Sequence, residues 1–255
     1  MTSLTLREIK NTFNKKAGSN TFYYGSIVRP ISYPLTYLVI KLGLQSPNKA
    51  TMWGMLFGLI SACCFILSAT DERYLIGGAL GYFLFNIFDV IDGNLARVFN
   101  KATYFGKFLD GFVDTIIEGA MIVGILGGAY LKYESSWYFY GSLLLTWFFL
   151  LAAVLMNRYS FTSRWMKSEV KAGSDASSYI FSSPKFPIKP TMNFLTDIRV
   201  YAILSAPAFA YSEIWVGVFA LSVFLMSLLL WVVFGIDSYK VLNVPRLSKW
   251  DSRNK

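Results

Sequence analysis

The chain contains no histidine, which removes imidazole metal ligands and any His-based catalytic triad. Its two cysteines, Cys63 and Cys64, are adjacent and lie inside an apolar run. They read as small core residues, and neither a zinc site nor a structural disulfide is expected. Charge is scarce: 15% of the 255 residues are Asp, Glu, Lys or Arg, against 55% apolar. An average soluble domain is about 25% charged. Together with a mean hydropathy of +0.45, this excludes an ordinary soluble protein and points to a multi-pass integral membrane protein. Acidic residues are outnumbered 15 to 24 by basic ones. A net charge of +9 would suit nucleic acid, but the placement of the basic residues explains it otherwise, and no nucleic-acid partner is expected. There is no internal repeat, low-complexity tract or second globular unit. Residues 1–20 lack the continuous apolar core and small-residue cleavage site of a secretory signal.

What is present is a series of long apolar runs. Residues 4–16 place Leu4, Ile9 and Phe13 at helical spacing among lysines, the pattern of an amphipathic helix lying on an anionic membrane surface. Residues 35–44 are apolar but too short to cross, since spanning needs roughly 20 residues, and read as a second interfacial helix. Ser46-Pro47-Asn48 is a helix start, with Ser46 placed to cap and Pro47 suited to the first turn. Six spans are expected, over about 49–69, 75–98, 104–131, 137–155, 194–210 and 214–234. The fold class is therefore all-α: a six-helix transmembrane bundle with N-terminal amphipathic interfacial helices. The divisions are a tail with interfacial helices over 1–46, the six-span domain over 47–235 with a polar loop at 158–192, and a basic tail over 236–255.

Six crossings put both termini on one side. Of the 24 Lys and Arg residues, all but Arg73 and Lys132 fall on that same side, which the positive-inside rule makes cytoplasmic. Both termini, the 158–192 loop and the 99–105 connection are then expected in the cytoplasm.

The stretch Asp89–Asp114 lies at the cytoplasmic end of the second and third spans. It holds four carboxylates, Asp89, Asp92, Asp110 and Asp114, where charge is costly and marks function by default. Asp89 and Asp92 share one face of a helix; Asp110 and Asp114 share one face of the next. Antiparallel packing lets the two pairs converge. Four carboxylates repel unless cations sit between them, and an all-oxygen set suits Mg²⁺ or Mn²⁺. Two such ions about 3.5–4 Å apart would clamp a phosphoryl displacement. Gly93 and Gly106 permit close approach of a ligand, Ala96 is small, Arg97 offers a planar fork to a phosphate, and Thr103 a hydroxyl donor.

These positions, Asp89-x-x-Asp92-Gly93-x-x-Ala96-Arg97, eight residues, then Gly106-x-x-x-Asp110-x-x-x-Asp114, resemble the signature of the CDP-alcohol phosphotransferase family at every fixed position. The likeness extends to Pro47-Asn48 at the first span and to the placing of the motif across the second and third. It implies an enzyme that cleaves a CDP-linked donor, releases CMP and transfers the substituted phosphoryl group to an alcohol. The resemblance assigns Asp89, Asp92 and Asp110 as metal ligands, and Asp114 as general base with a share in the second metal. It assigns Gly93, Ala96, Arg97, Thr103 and Gly106 to the CDP moiety, with Asn48 and Thr51 at its nucleotide end. It also implies a homodimer among membrane lipids.

Glu118 extends the carboxylate face one turn beyond Asp114 and is not part of the signature. It lines an acceptor pocket or pairs with a basic side chain. Asp197 and Arg199, near the start of the fifth span, contact a polar acceptor or are helix-end charges. The expected activity is a phospholipid-forming transfer, with phosphatidyl as the group moved. The alternative is transfer from a CDP-linked small alcohol to a lipid or inositol-phosphate acceptor. An intramembrane prenyltransferase would carry two aspartate clusters and more spans. A cation transporter would place its carboxylates near the midplane, on broken helices.

Overall fold

The computed structural model describes residues 21–171 and 188–242. Among these every secondary-structure element is a helix. A π-helical turn, Tyr24–Val28, leads directly into α1 (Arg29–Lys41). The long helices follow: α2 (Pro47–Leu67), α3 (Tyr74–Val98), α4 (Tyr104–Tyr133) and α5 (Ser136–Lys171). The chain ends with α6 (Ile188–Leu204), the short α7 (Ala206–Phe209) and α8 (Glu213–Leu242). Five helices are long and apolar enough to cross a bilayer: α2, α3, α4, residues 136–163 of α5, and residues 213–236 of α8.

The three spans nearest the aspartates follow the apolar runs closely. α2 starts with Ser46 in the N-cap position and Pro47 in the first turn, though the Ser46 side chain makes no capping bond. α4 is capped in full: the Thr103 hydroxyl oxygen accepts the Gly106 N–H at 2.9 Å, satisfying a donor that the helix leaves without a partner. Asn100, at φ 52°, turns the chain between α3 and α4; Asn tolerates this left-handed backbone better than most residues. α2, α3 and α4 pack as one group around Phe65, Tyr82, Ile117 and Met121, all buried. Gly124 and Gly128 make the α2–α4 contact possible. A methyl group at Gly124 would lie 2.7 Å from the Ala62 carbonyl oxygen, and one at Gly128 would run into the Phe65 carbonyl. Small residues four apart let two spanning backbones approach this closely.

Several expectations need correction. The first described helix begins well before residue 35 and continues through Pro34, where a ring without an N–H normally ends a helix. Docking on α3 offsets that loss. Ser32 and Thr36 are buried, and the Thr36 hydroxyl accepts a bond from Asn94 Nδ2 at 2.9 Å. The helix of the fourth span does not stop near residue 155 but runs to Lys171, so residues 158–171 of the expected loop are helix. The span expected over 194–210 is α6, beginning at Ile188 and stopping at Leu204. At 17 residues, with Lys189, Asp197 and Arg199 among them, it falls just short of the length and composition that mark the other five, so the count of six spans is approximate; Pro207 sits in the first turn of α7 beyond it. α8 continues past residue 235 to Leu242. Cys63 faces outward rather than into the core, and both cysteines are free. The amphipathic helix expected over 4–16 lies outside the described residues, as do residues 172–187 of the loop and the tail beyond 242.

A file of exposed rings runs down α4 from its start. Phe105, Phe108 and Phe112 are all exposed, with ring centroids 6.5 and 5.8 Å apart in succession.

Candidate active site

α3 finishes and α4 begins at the same end of the bundle, both packed on α2, and side chains from the two converge there. α3 presents Asp89 and Asp92, one turn apart, and α4 presents Asp110 from its second turn. One carboxylate oxygen from each of these three lies within 4.8 Å of the others. Asp92 is buried, and the Thr51 hydroxyl of α2 donates to its Oδ2 at 2.6 Å. Three acidic oxygens this close repel one another unless positive charge lies among them. The set holds no nitrogen or sulfur donor, which fits a hard divalent cation.

One positive charge is already there. Lys107 Nζ donates to Asp110 Oδ2 at 2.6 Å, from a side chain that is 76% exposed. Lys107 was not singled out from the sequence. Its position three residues before Asp110, on the same helix face, is the signal that marks it.

The cluster forms part of the wall of an open cavity of about 650 Å³. All seven residues expected to hold the donor line it: Asn48 and Thr51 from α2, Gly93, Ala96 and Arg97 from α3, and Thr103 and Gly106 at the start of α4. Both α2 and α4 therefore begin at the cavity and turn their positive ends toward it, the arrangement that suits a phosphate. Arg97 Nη2 donates to Asn94 Oδ1 at 2.9 Å. The Thr103 oxygen is engaged in capping, so its hydroxyl proton is the part left for a ligand. A methyl group at Gly106 would sit 3.1 Å from Thr103 Oγ1 and 3.3 Å from Asn48 Oδ1, so glycine keeps this corner open.

Arg29, Lys101 and Tyr24 also line the cavity, and sequence reasoning missed all three. Tyr24 donates to Asn86 Oδ1 of α3. Burial and then the nearby Asp89 carboxylate push the Tyr24 hydroxyl well above its ordinary pKa, so it remains a neutral donor.

The other expected site residues fall elsewhere. Asp114 stands outside the three-carboxylate group and outside the cavity lining, one turn further along α4 than Asp110. Glu118, another turn on, forms an ion pair with Arg199 of α6 at 2.7 Å, and Tyr82 Oη lies 3.5 Å from the same oxygen. Of the two readings of Glu118, the geometry shows the pairing. Arg199 is buried and is not a solvated helix-end charge. Asp197 accepts the backbone N–H groups of Phe22 and Tyr23 at 2.9 and 3.1 Å. It holds the start of the first described helix against α6.

Comparisons with known proteins bear on this geometry. A family model described as CDP-alcohol phosphatidyltransferase matches residues 44–234. A phosphatidylinositol phosphate synthase of Mycobacteroides abscessus is 29% identical over 96 residues, which is 38% of this chain and 41% of that protein. An archaetidylinositol phosphate synthase of Pyrococcus horikoshii is 31% identical over 116 residues, 43% of this chain and 57% of that protein. A CDP-diacylglycerol–glycerol-3-phosphate 3-phosphatidyltransferase of Rickettsia bellii is 43% identical over 87 residues, 34% of this chain and 47% of that protein. The chain thus spans about half the length of the curated relatives it matches. Among solved structures, Mycobacterium tuberculosis phosphatidylinositol phosphate synthase with CDP-DAG bound has the same fold. It has a TM-score of 0.50 at 18% identity, covering 86% of this chain and 99% of that one.

Proposed function

The chain belongs to the CDP-alcohol phosphatidyltransferase family, and on that footing we propose that it transfers a phosphatidyl-type group from a CDP-linked lipid to an alcohol, releasing CMP. The observation that carries the reading is the meeting of Asp89, Asp92 and Asp110 within 4.8 Å at the wall of a cavity that all seven expected donor-binding residues line. A CDP-diacylglycerol-type donor is favoured by the names of the relatives, among them the phosphatidylinositol phosphate synthase and the glycerol-3-phosphate 3-phosphatidyltransferase. Those same names make phosphorylated polyols the first acceptors to test.

Asp89, Asp92 and Asp110 would hold Mg²⁺ or Mn²⁺, with Asp114 sharing in a second ion. Bound there, the metal would neutralise the diphosphate and the charge gathering on the departing CMP. The remaining steps belong to this chain. Arg97, with the positive ends of α2 and α4, holds the diphosphate by charge and by N–H donation. Asn48 and Thr51 border the nucleotide end, and Gly93 and Gly106 leave it room. Asp114 takes the proton from the acceptor hydroxyl as its oxygen attacks the lipid-bearing phosphorus. The bond from that phosphorus to the CMP oxygen breaks, and CMP leaves with the bonding electrons. The distribution of Lys and Arg supports a cytoplasmic site with both termini on that side. A homodimer is carried over from the family.

Purified protein with Mn²⁺ and CDP-diacylglycerol, offered inositol phosphate, glycerol 3-phosphate and unphosphorylated alcohols in turn, should release CMP with at least one of them. Failure across the panel, and with CDP-linked head groups as donors, overturns the reading. Asp114→Asn should abolish turnover while retaining donor binding. Retained turnover would remove its role as base.

A further inference from the structure

The salt bridge between Lys107 and Asp110 places an ammonium on an oxygen of the carboxylate cluster. Lys107 is not one of the fixed positions of the signature, and it stands between two of them, Gly106 and Asp110. Its Nζ is 2.6 Å from Asp110 Oδ2, and its side chain is mostly exposed while that of Asp110 is 22% exposed. Lys107 also lines the same cavity as Arg97, Arg29 and Lys101. The ammonium is thus attached to one end of the cluster and bordered on its other side by the space where a diphosphate would lie.

We propose that Lys107 is the resident counter-ion of the metal site: an incoming divalent cation displaces it from Asp110, and the freed ammonium turns to the phosphate oxygens of the donor. This rests on the metal-dependent reading given above. The physical case is one of competition for the same lone pairs. A carboxylate oxygen that accepts a short charge-assisted bond from an ammonium is less available to a dication, and the metal-free cluster needs some positive charge to limit its own repulsion. The lysine stem is long and flexible, so it can leave Asp110 without disturbing α4. Once released, it borders the cavity in which the diphosphate is proposed to lie. Lysine binds phosphate as a point charge that can follow its target, unlike the fixed fork of arginine.

Mn²⁺ binding to metal-depleted protein in detergent, read by electron paramagnetic resonance of the free ion, tests the first half without relying on turnover. Lys107→Ala should bind Mn²⁺ about fivefold more tightly than the parent, the upper range for an exposed pair. Lys101→Ala is the control for charge in the same cavity, because its Nζ bonds the Gln45 carbonyl rather than a carboxylate. It should change Mn²⁺ affinity less than about twofold on the same scale. The second half is read as KM for CDP-diacylglycerol at saturating Mn²⁺, which should rise in Lys107→Ala and be restored in part by Lys107→Arg. Unchanged or weaker Mn²⁺ affinity in Lys107→Ala, or an equal gain in Lys101→Ala, overturns the displacement. Tighter Mn²⁺ with an unchanged KM overturns the transfer to phosphate. If the parent itself binds no Mn²⁺, it is the metal-dependent reading that fails.

Discussion

Glu118 and Arg199 are separated by 81 residues in sequence and 2.7 Å in space. Both side chains are largely withdrawn from water, 16% and 9% exposed respectively, so each is tolerated because of the other. Removing one partner leaves an uncompensated buried charge. Arg199→Leu should therefore lower stability in detergent by about 3–5 kcal/mol. The double variant Glu118→Leu, Arg199→Leu should recover most of that loss, because a buried pair exchanged for apolar residues is often neutral or better. Thermal unfolding of the three proteins checks this, and a double variant as unstable as the single would show that the pair does something other than neutralise itself. At this scale the sequence was an uneven guide. Spacing put Asp89 with Asp92 on one helix face and Asp110 with Asp114 on another, because residues three and four apart on a helix share a face; that Asp110 and not Asp114 joins the first pair depends on how the helices dock. It could name pairing as one role for Glu118 but not the partner. Asp197 was read as a contact for the acceptor or a helix-end charge. Its actual bonds to Phe22 and Tyr23 N–H depend on how segments 174 and 175 residues apart dock, which local patterns do not encode.

Among the elements, α2 and α4 are held together by the absence of side chains at Gly124 and Gly128. Backbone atoms of Ala62 and Phe65 occupy the space where methyl groups would stand, and backbone cannot step aside as a flexible side chain can. Gly128→Ala should destabilise by about 1–3 kcal/mol, the usual cost of overfilling a packed core. Gly127→Ala, where the added methyl would meet nothing within 4 Å, should be tolerated. Melting temperatures of both variants in detergent check the contrast, and equal effects would refute the close-packing argument. The apolar runs predicted α2, α3 and α4 to within about two residues, since a continuous apolar stretch bounded by turn residues leaves little choice. They failed where polar residues continue a helix. The far part of α5 is held by backbone bonds that hydropathy does not register, and α1 survives its internal proline because Thr36 and Asn94 join it to α3.

At the scale of the molecule, Arg29, Arg97, Lys101 and Lys107 all border the cavity, at the end where α2 and α4 begin. Orientation follows if the positive-inside rule applies. In a background with Cys63 and Cys64 replaced by Ser, Leu42→Cys should react with a membrane-impermeant maleimide only after cells are opened, while Thr70→Cys should react in intact cells. The reverse pattern would put the site on the wrong face for cytoplasmic substrates. The opposite end is closed by a clasp in which Lys132 Nζ bonds both Glu72 and the Ala210 carbonyl, and the Tyr133 hydroxyl donates to the Tyr211 carbonyl at 2.6 Å. Relative motion of the helices is thereby restrained on the side away from the cavity.

The exposed rings of Phe105, Phe108 and Phe112, of which the last two are stacked, begin next to Gly106, itself a wall of the cavity, and run along α4. On the proposed reading, a donor with fatty chains would lay them along this file while its head enters the site, and so would not have to leave the bilayer. For such a catalyst the concentration that governs rate is areal. Diluting the donor with inert lipid at constant bulk amount would starve it, whereas diluting the vesicles in buffer would not.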